Sequence, residues 1–214
     1  MIVYGSTLSP FVRKVMAFLA EKGLEAELKP AGLGRGGPDF DAASPFRKMP
    51  AFSDDDFTLC DSSAIVAYLE AKHPDPNLIP AEPRARGRTI WFDEFADTIV
   101  MAAGGKIFFN RFVAPRVLKL GGDEEIAAAA ERDELPPLLE YIERVIPASG
   151  FLVEDRLTLA DIAVASPFVN FRHVGVAIDG VRFPKTLAYV EAILARPSFA
   201  AMVAAEERFV KAAG

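Results

Sequence analysis

A serine hydroxyl stands where the first helix of the chain is predicted to begin. Ser9 and Pro10 are a typical N-cap and first helical residue. The N–H groups of a first helical turn are unpaired and the helix dipole is positive there, so an anion is stabilised. With a hydroxyl donor beside it, such a site could ionise a thiol, since a hundredfold gain in acidity takes about 2.7 kcal/mol. By itself the pattern predicts only an N-cap, and Ser6 or Thr7 could serve instead.

A second candidate segment, Lys48-Met49-Pro50, comes directly before a predicted strand. About 5% of bonds before proline are cis. A cis bond before Pro50 would turn the backbone N–H and C=O of Met49 outward, where a ligand peptide could pair with them. The alternative is an ordinary trans proline at the start of a strand.

A third candidate lies at a strand-to-helix junction, where Asp61 is followed by Ser62 and Ser63. We expect one of the two serines to cap the helix, whose N-terminus favours a carboxylate. Asp61 could hold an ammonium group beside it, so the α-amino-acid end of a ligand would satisfy both. Helix capping alone also explains the pattern.

A glycine-rich loop imitates a nucleotide-binding fingerprint. The stretch from Gly32 to Gly37 matches GxGxxG, and acidic residues follow about 20 positions later at 54–56. That motif requires a long helix that starts inside it, so that the helix dipole points at a pyrophosphate. Pro38 and Pro45 leave no room for such a helix. We therefore predict a simple loop over residues 30–38 and reject the nucleotide site.

Alternating strand and helix patterns position these candidates within the first 70 or so residues. The expected elements are strands at 1–4, 26–28, 51–53 and 57–60, helices at about 9–23 and 62–72, and a short turn near 39–43. A strand–helix–strand unit needs a parallel pair, and the acidic turn at 54–56 needs an antiparallel pair. The sequence therefore predicts a mixed sheet covered by helices. On the first helix we expect Arg13 and Lys14 to lie away from the apolar face.

A proline-rich stretch separates this part from an all-helical part. Residues 73–83 hold four prolines, and we take 77–83 as the linker between domains at 1–76 and 84–214. Helices are predicted at 84–103, 123–145, 159–173, 185–195 and 198–212. Thr158 and Asp161 predict a capping box, and Leu157 with Ile162 a hydrophobic staple; both are structural signals.

Composition excludes several classes of protein. The 214 residues carry a net charge of −6, which argues against general affinity for nucleic acid or an anionic membrane. The single cysteine and two histidines argue against a disulfide or a metal centre. The stretch MIVYGSTLSP has no signal-peptide core and no apolar run is long enough to span a bilayer. We therefore expect a soluble cytoplasmic protein without a metal.

Four motifs in order resemble the cytosolic glutathione S-transferase family, in its bacterial, serine-type or theta-like form. They are YGSTLSPFVRKVMAFLAEKGL, SPFRKMP ahead of a strand, DSSAIVAYLE and FLVEDRLTLADIAVA. Together they cover nearly the whole chain. The resemblance implies a thioredoxin-like N-terminal domain with a mixed sheet, an all-helical C-terminal domain and a homodimer.

The resemblance also implies roles for single residues. Ser9 matches the serine that activates the glutathione thiol, and Met49 before Pro50 matches the backbone clamp on the cysteinyl part. Asp61 and Ser62 match the pair that grips the γ-glutamyl end; many relatives have Glu or Gln in place of this aspartate. Lys48 matches a position that often reaches the glycyl carboxylate. The electrophile pocket is expected between the domains, lined by Phe11 and by residues of the first long helices of the second domain, for which Phe108 and Phe112 are the candidates.

The predicted function is therefore glutathione transfer to a small hydrophobic electrophile in detoxification, with glutathione as co-substrate. Cys60 does not stand at the catalytic position, so thiol exchange through a protein thiol is not expected. A non-catalytic binding or regulatory protein with the same fold is the alternative. Phe108 and Phe112 could equally be core residues.

Overall fold

The computed structural model describes residues 1–33 and 35–212. Gly34 of the predicted glycine-rich loop and residues 213–214 of the predicted helical domain lie outside them. The N-terminal elements are β1 (Ile2–Tyr4), α1 (Pro10–Glu21), β2 (Glu27–Lys29), α2 (Pro38–Ala43), β3 (Ala51–Asp54), β4 (Phe57–Cys60) and α3 (Ser62–Lys72).

The four strands form one mixed sheet in the order β2-β1-β3-β4. β1 pairs in parallel with β2 and antiparallel with β3, so that Val3 lies between Leu28 and Phe52. β3 and β4 are an antiparallel hairpin. The crossover through α1 gives the parallel pair and the tight acidic turn gives the antiparallel pair, as a mixed sheet requires. The predicted thioredoxin-like arrangement is confirmed.

α2 differs from its prediction, because a six-residue helix replaces the expected turn near 39–43. Pro38 occupies the first turn, Asp39 and Asp41 are acidic groups near the helix N-terminus, and Phe40 is buried. These features favour a helix start. The helix begins after the glycine-rich stretch rather than inside it, which agrees with our rejection of a dinucleotide fingerprint.

The remaining chain is helical. Its α-helices are α4 (Pro83–Glu94), α5 (Met101–Phe108), α6 (Glu124–Ala129), α7 (Leu135–Val145), α8 (Leu159–His173), α9 (Pro184–Leu194) and α10 (Pro197–Ala212). Wider π-helical turns at Phe95–Val100 and Phe109–Val117 extend α4 and α5 into one long helical stretch. The helix predicted to end at Ala103 therefore continues past it. A third π-helical segment, Ala130–Glu134, joins α6 to α7.

α8 is the central helix of the molecule and packs against α1, α4, α5 and α9. Every residue from Leu159 to Phe171 is buried. Its start is fixed by Asp161, whose Oδ2 accepts a hydrogen bond from the Thr158 N–H at 2.9 Å, while its Oδ1 accepts one from the Leu152 N–H at 2.9 Å. The predicted helix start is therefore confirmed, and it has a structural role.

α1 differs from its prediction on its charged face. Val12, Val15 and Phe18 are fully buried, but Arg13 and Lys14 are also buried, with 0% and 1% exposure. α1 lies between the sheet and the helical part, so two of its faces are covered. A sequence pattern with one apolar stripe does not predict this.

Lys22 at the end of α1 holds the proline-rich connection. Its Nζ donates to the backbone oxygens of His73 and Pro76, both at 2.7 Å, and pairs with Glu70 at 2.7 Å. The connection between α3 and α4 is thereby tied to α1. Over the described residues no single helix is long and apolar enough to cross a membrane; α9 and α10 would pass such a test only together, and they meet at an angle of 91°.

Candidate active site

Two cavities adjoin beside the N-terminus of α1. The first, of about 400 Å³, lies between the sheet domain and α4 and includes Phe11, Lys48, Met49, Pro50, Asp61 and Ser62 in its wall. The second, of about 560 Å³, lies between the same domain and the α5 region and includes Ser9, Phe108 and Phe112. Met49 lines both. All predicted site residues therefore line one cavity or the other.

Ser9 is the N-cap residue of α1 in position but not by hydrogen bonding. Its backbone is extended, with φ −80° and ψ 123°, and its side chain accepts no hydrogen bond from the first turn of α1. The predicted capping bond is therefore absent. The residue is only 9% exposed. Its hydroxyl lies at the wall of the second cavity, next to the N-terminus of α1.

The two alternatives to Ser9 are less well placed. The Ser6 hydroxyl lines the second cavity, but it accepts a weak hydrogen bond from the Leu8 N–H at 3.4 Å. Thr7 is not among the residues that line either cavity.

The peptide bond between Met49 and Pro50 is cis. The segment before it is held by Ser44, whose hydroxyl donates to the Lys48 carbonyl at 2.7 Å and accepts from the Lys48 N–H at 3.0 Å. Gly32, at φ +95°, leaves room for the Met49 side chain: a Cβ there would lie 2.7 Å from the sulfur. The hydrogen bonds of Ser44 to Lys48 and the space beside Gly32 therefore fix the position of Met49 between the two cavities.

Asp61, rather than Ser62 or Ser63, caps α3, which corrects the prediction. Its Oδ1 accepts from the N–H groups of Ser63 and Ala64 at 2.9 and 3.0 Å, and its φ is +80°. The Ser62 hydroxyl is buried and donates instead to Asp97 Oδ2 at 3.1 Å. Asp61 and Ser62 thus both line the first cavity, beside the N-terminus of α3.

A buried charge cluster supports this wall and was not predicted. Lys14 Nζ donates to Asp93 Oδ1 and to Asp97 Oδ2, both at 2.6 Å, and to the Ser63 hydroxyl at 3.2 Å. Burial raises the pKa of Asp97, and the Asp93 carboxylate raises it further, while Lys14 opposes both effects. The i, i+4 spacing of Asp93, on α4, and Asp97, in the π-helical turn that follows, was the available sequence signal.

The second cavity is predominantly aromatic and aliphatic. Phe108 and Phe112 stack with ring centroids 5.1 Å apart and an angle of 17° between the rings. Both are at least nine-tenths buried, so they contribute to core packing as well as to the cavity wall. Phe209 of α10, which sequence analysis did not find, lines the same cavity and is 52% exposed. Arg35 is the one charged residue among the described residues lining it.

Phe11 lines the first cavity, whereas Phe108 and Phe112 line the second. Cys60 is half-buried and lines the first cavity as well. Within the described ranges, no three His, Cys, Asp or Glu side chains are grouped as a metal ion would require.

Comparisons with protein families give matches over most of the chain. A model described as the N-terminal domain of glutathione S-transferase matches residues 3–77, and one described as its C-terminal domain matches residues 99–197. Glutathione S-transferase 3 of Zea mays is 33% identical over 211 residues, which cover 95% of this chain and 93% of that protein.

Solved structures agree with these matches. Glutathione transferase F7 from Populus trichocarpa superposes with a TM-score of 0.83 at 28% identity, covering 96% of this chain and 98% of the other. A glutathione S-transferase from Methylobacterium radiotolerans, in complex with glutathione sulfonate, gives 0.77 at 30% identity over 94% and 93%. The chain belongs to the glutathione S-transferase family of enzymes.

Proposed function

We propose that the protein transfers glutathione to small hydrophobic electrophiles, and that glutathione binds in the first cavity. The observation that carries this proposal is the junction of a polar cavity and an apolar one at Met49, close to the Ser9 hydroxyl. A flexible tripeptide with two carboxylates and an ammonium fits a wall that offers a helix N-terminus, a carboxylate and a lysine. The Methylobacterium radiotolerans relative was solved in complex with glutathione sulfonate, which supports binding of glutathione by this fold.

Each group in the first cavity has a chemical role. The Ser62 N–H at the start of α3 binds the γ-glutamyl carboxylate, since helix N-termini stabilise anions. Asp61 binds the ammonium group through Oδ2, because its Oδ1 already caps α3. The backbone of Met49 before Pro50 pairs with the cysteinyl residue, and the exposed ammonium of Lys48 attracts the glycyl carboxylate.

Ser9 stabilises the thiolate. Glutathione, when bound, supplies the sulfur nucleophile that attacks an electrophilic carbon or displaces a leaving group. A serine hydroxyl carries one donor proton, which Ser9 can direct to the sulfur in a charge-assisted hydrogen bond. The positive end of α1 adds to this effect. The chain thus contributes positioning and electrostatic stabilisation.

The second cavity binds the electrophile. Its stacked aromatic rings and its few polar groups favour flat, apolar molecules, and Ser9 at its wall brings the sulfur within reach of them. Phe108, Phe112 and Phe209 form the aromatic surface, whereas Phe11 contacts glutathione in the first cavity.

The decisive experiment compares conjugation of glutathione to a chlorodinitrobenzene by the wild type and by Ser9→Ala. We expect a loss of about 10- to 150-fold in kcat/KM, because a hydrogen bond to a charged group is worth about 1.5–3 kcal/mol and acts on the reacting atom. Ser6→Ala is the matched control, since it removes a hydroxyl from the same cavity. Equal rates for wild type and Ser9→Ala would exclude Ser9 from the mechanism. Tight glutathione binding without turnover in the wild type would favour a non-catalytic binder.

Further features complete the proposal. The domains extend over 1–76 and 84–214 with a linker at 77–83, the chain acts in detoxification in the cytoplasm without a metal, and it forms a homodimer. The side chain of Phe46, exposed by 83%, supports the dimer because large exposed aromatic groups are enriched at interfaces. Assignment to a serine-type, theta-like bacterial subgroup is also proposed, because Ser9 stands at the position of the activating serine.

A further inference from the structure

A buried polar network surrounds the backbone that carries Ser9. The Asn170 side-chain amide of α8 donates to the Leu8 carbonyl at 2.8 Å, and the Ser166 hydroxyl, one turn earlier, donates to the Pro10 carbonyl at 2.8 Å. Both side chains are 1% exposed. The carbonyl groups of the residues on either side of Ser9 are therefore both held by α8.

Arg13 connects this pair to the last helix. Its Nη1 donates to the Ser166 carbonyl at 2.7 Å and to Asn170 Oδ1 at 3.0 Å, while Nε and Nη2 donate to Glu206 at 3.0 and 2.7 Å. His173 lies 3.0 Å from the same carboxylate. A network of paired and buried polar groups is stiff, because a displacement leaves one of these groups unpaired.

We propose that Asn170 and Ser166 are positioning residues for Ser9, an inference that rests on the proposed function. The Ser9 hydroxyl makes no capping bond to its own helix, so its position is set by the backbone on both sides. Ser9 N–H also donates to the Ser6 carbonyl at 2.9 Å, which leaves this backbone little freedom. Displacements of about 1 Å at a reacting centre reduce rates by about 100-fold, so small errors here matter.

The test removes one donor without removing volume. Asn170→Asp keeps the side-chain size and the oxygen that accepts from Arg13, but an ionised aspartate cannot donate to the Leu8 carbonyl. Ser166→Ala deletes only the hydroxyl that donates to the Pro10 carbonyl. Thr89→Val is the matched control, because Thr89 is fully buried on α4 and its hydroxyl has no partner among the described residues. Three quantities are measured: the pKa of bound glutathione, from the ultraviolet absorbance of its thiolate, the glutathione Kd by calorimetry, and kcat and KM over a range of pH.

We expect both variants to raise the pKa of the bound thiol and to lower kcat at neutral pH by about tenfold, the effect of one lost hydrogen bond. The glutathione Kd should change less than twofold, because the residues that bind the tripeptide backbone are elsewhere. Thr89→Val should behave as the wild type. The pH profile of each variant should move toward higher pH, so that kcat partly recovers in alkaline solution.

Two outcomes overturn the inference: an unchanged thiol pKa and pH profile in both variants, or an equal change in Thr89→Val. If Asn170→Asp does not fold, Ser166→Ala decides, since it leaves no sizeable cavity. The failure of the proposed function is seen separately. If the proposed function is wrong, Ser9→Ala itself leaves the thiol pKa unchanged. If only the positioning role of α8 is wrong, Ser9→Ala is impaired while Asn170→Asp and Ser166→Ala behave as the wild type.

Discussion

Replacing Lys14 by methionine should destabilise the protein strongly. Lys14 is 1% exposed, and its ammonium lies 2.6 Å from both Asp93 and Asp97. Methionine is similar in length but carries no charge. The change therefore leaves two neighbouring carboxylates without their shared cation, one of them in the interior and one at the wall of the first cavity.

The expected magnitude follows from the burial of the partners. Removal of one member of a buried ion pair costs about 3–5 kcal/mol, because the remaining charge is unpaired in a poorly polarisable interior. The Asp93 side chain is 1% exposed, but that of Asp97 is 17% exposed, so water can reach the second carboxylate. Burial already raises the pKa of Asp97, so it can take up a proton instead of remaining charged. We therefore expect the free energy of unfolding to fall by about 3 kcal/mol, near the lower end of that range.

Urea unfolding followed by circular dichroism measures this loss as a shift of the midpoint at constant slope. Lys72→Met is the matched control, because Lys72 also pairs with an aspartate, Asp54, but its side chain is 42% exposed. Lys72→Met should lose clearly less stability than Lys14→Met, because water solvates the Lys72 ammonium and its ion pair alike. Glutathione affinity should also fall in Lys14→Met, because Asp97 anchors the Ser62 hydroxyl.

The reasoning is refuted if Lys14→Met loses no more stability than Lys72→Met. It is also refuted if replacing both aspartates by asparagine in the Lys14→Met background fails to recover a substantial part of the loss. Neutral amides remove the unpaired charges, so recovery is the result that a purely electrostatic cause requires.

Two further outcomes are expected. Burial opposes ionisation of Glu206, but hydrogen bonds and charges from His173 and Arg13 lower its pKa below the ordinary value of 4.5. The stability that the Glu206 carboxylate contributes should therefore be complete above pH 4.5 and should decline as the pH falls further. In urea unfolding, the stabilities of wild type and Glu206→Gln should converge at acid pH. A constant difference would contradict this. Phe209→Ala should raise KM for an apolar electrophile by about tenfold, because apolar contact is lost. KM for glutathione and the stability should remain nearly unchanged, because the Phe209 ring is half-exposed. Steady-state kinetics with varied electrophile tests this prediction, and a matching rise in KM for glutathione would contradict it.

Local sequence predicted most of the elements and their type. The helices at 62–72 and 159–173 have the bounds that were predicted, because each starts at a polar capping segment and carries a dense apolar pattern. The mixed sheet followed from the connection lengths. The roles of Ser9, Met49 and Ser62 stay predictions, although each lies at a cavity wall.

Other local details depended on competition between neighbours. Asp61 caps α3 in place of Ser62 or Ser63, because the hydroxyls of these two serines donate to Asp97 and Asp93. The helix predicted to end at 103 continued, since π-helical turns accommodate residues that a regular α-helix would not.

By itself the sequence determined the strands, most of the helices and the family, since these follow from patterns within about 20 neighbouring residues. Only the tertiary structure decided that Arg13 and Lys14 are buried, and that Asn170 and Glu206 reach the segment around Ser9 from more than 150 residues away. Periodicity specifies which face of a helix is apolar. It does not specify which distant polar group meets a charge once two faces of the same helix are covered.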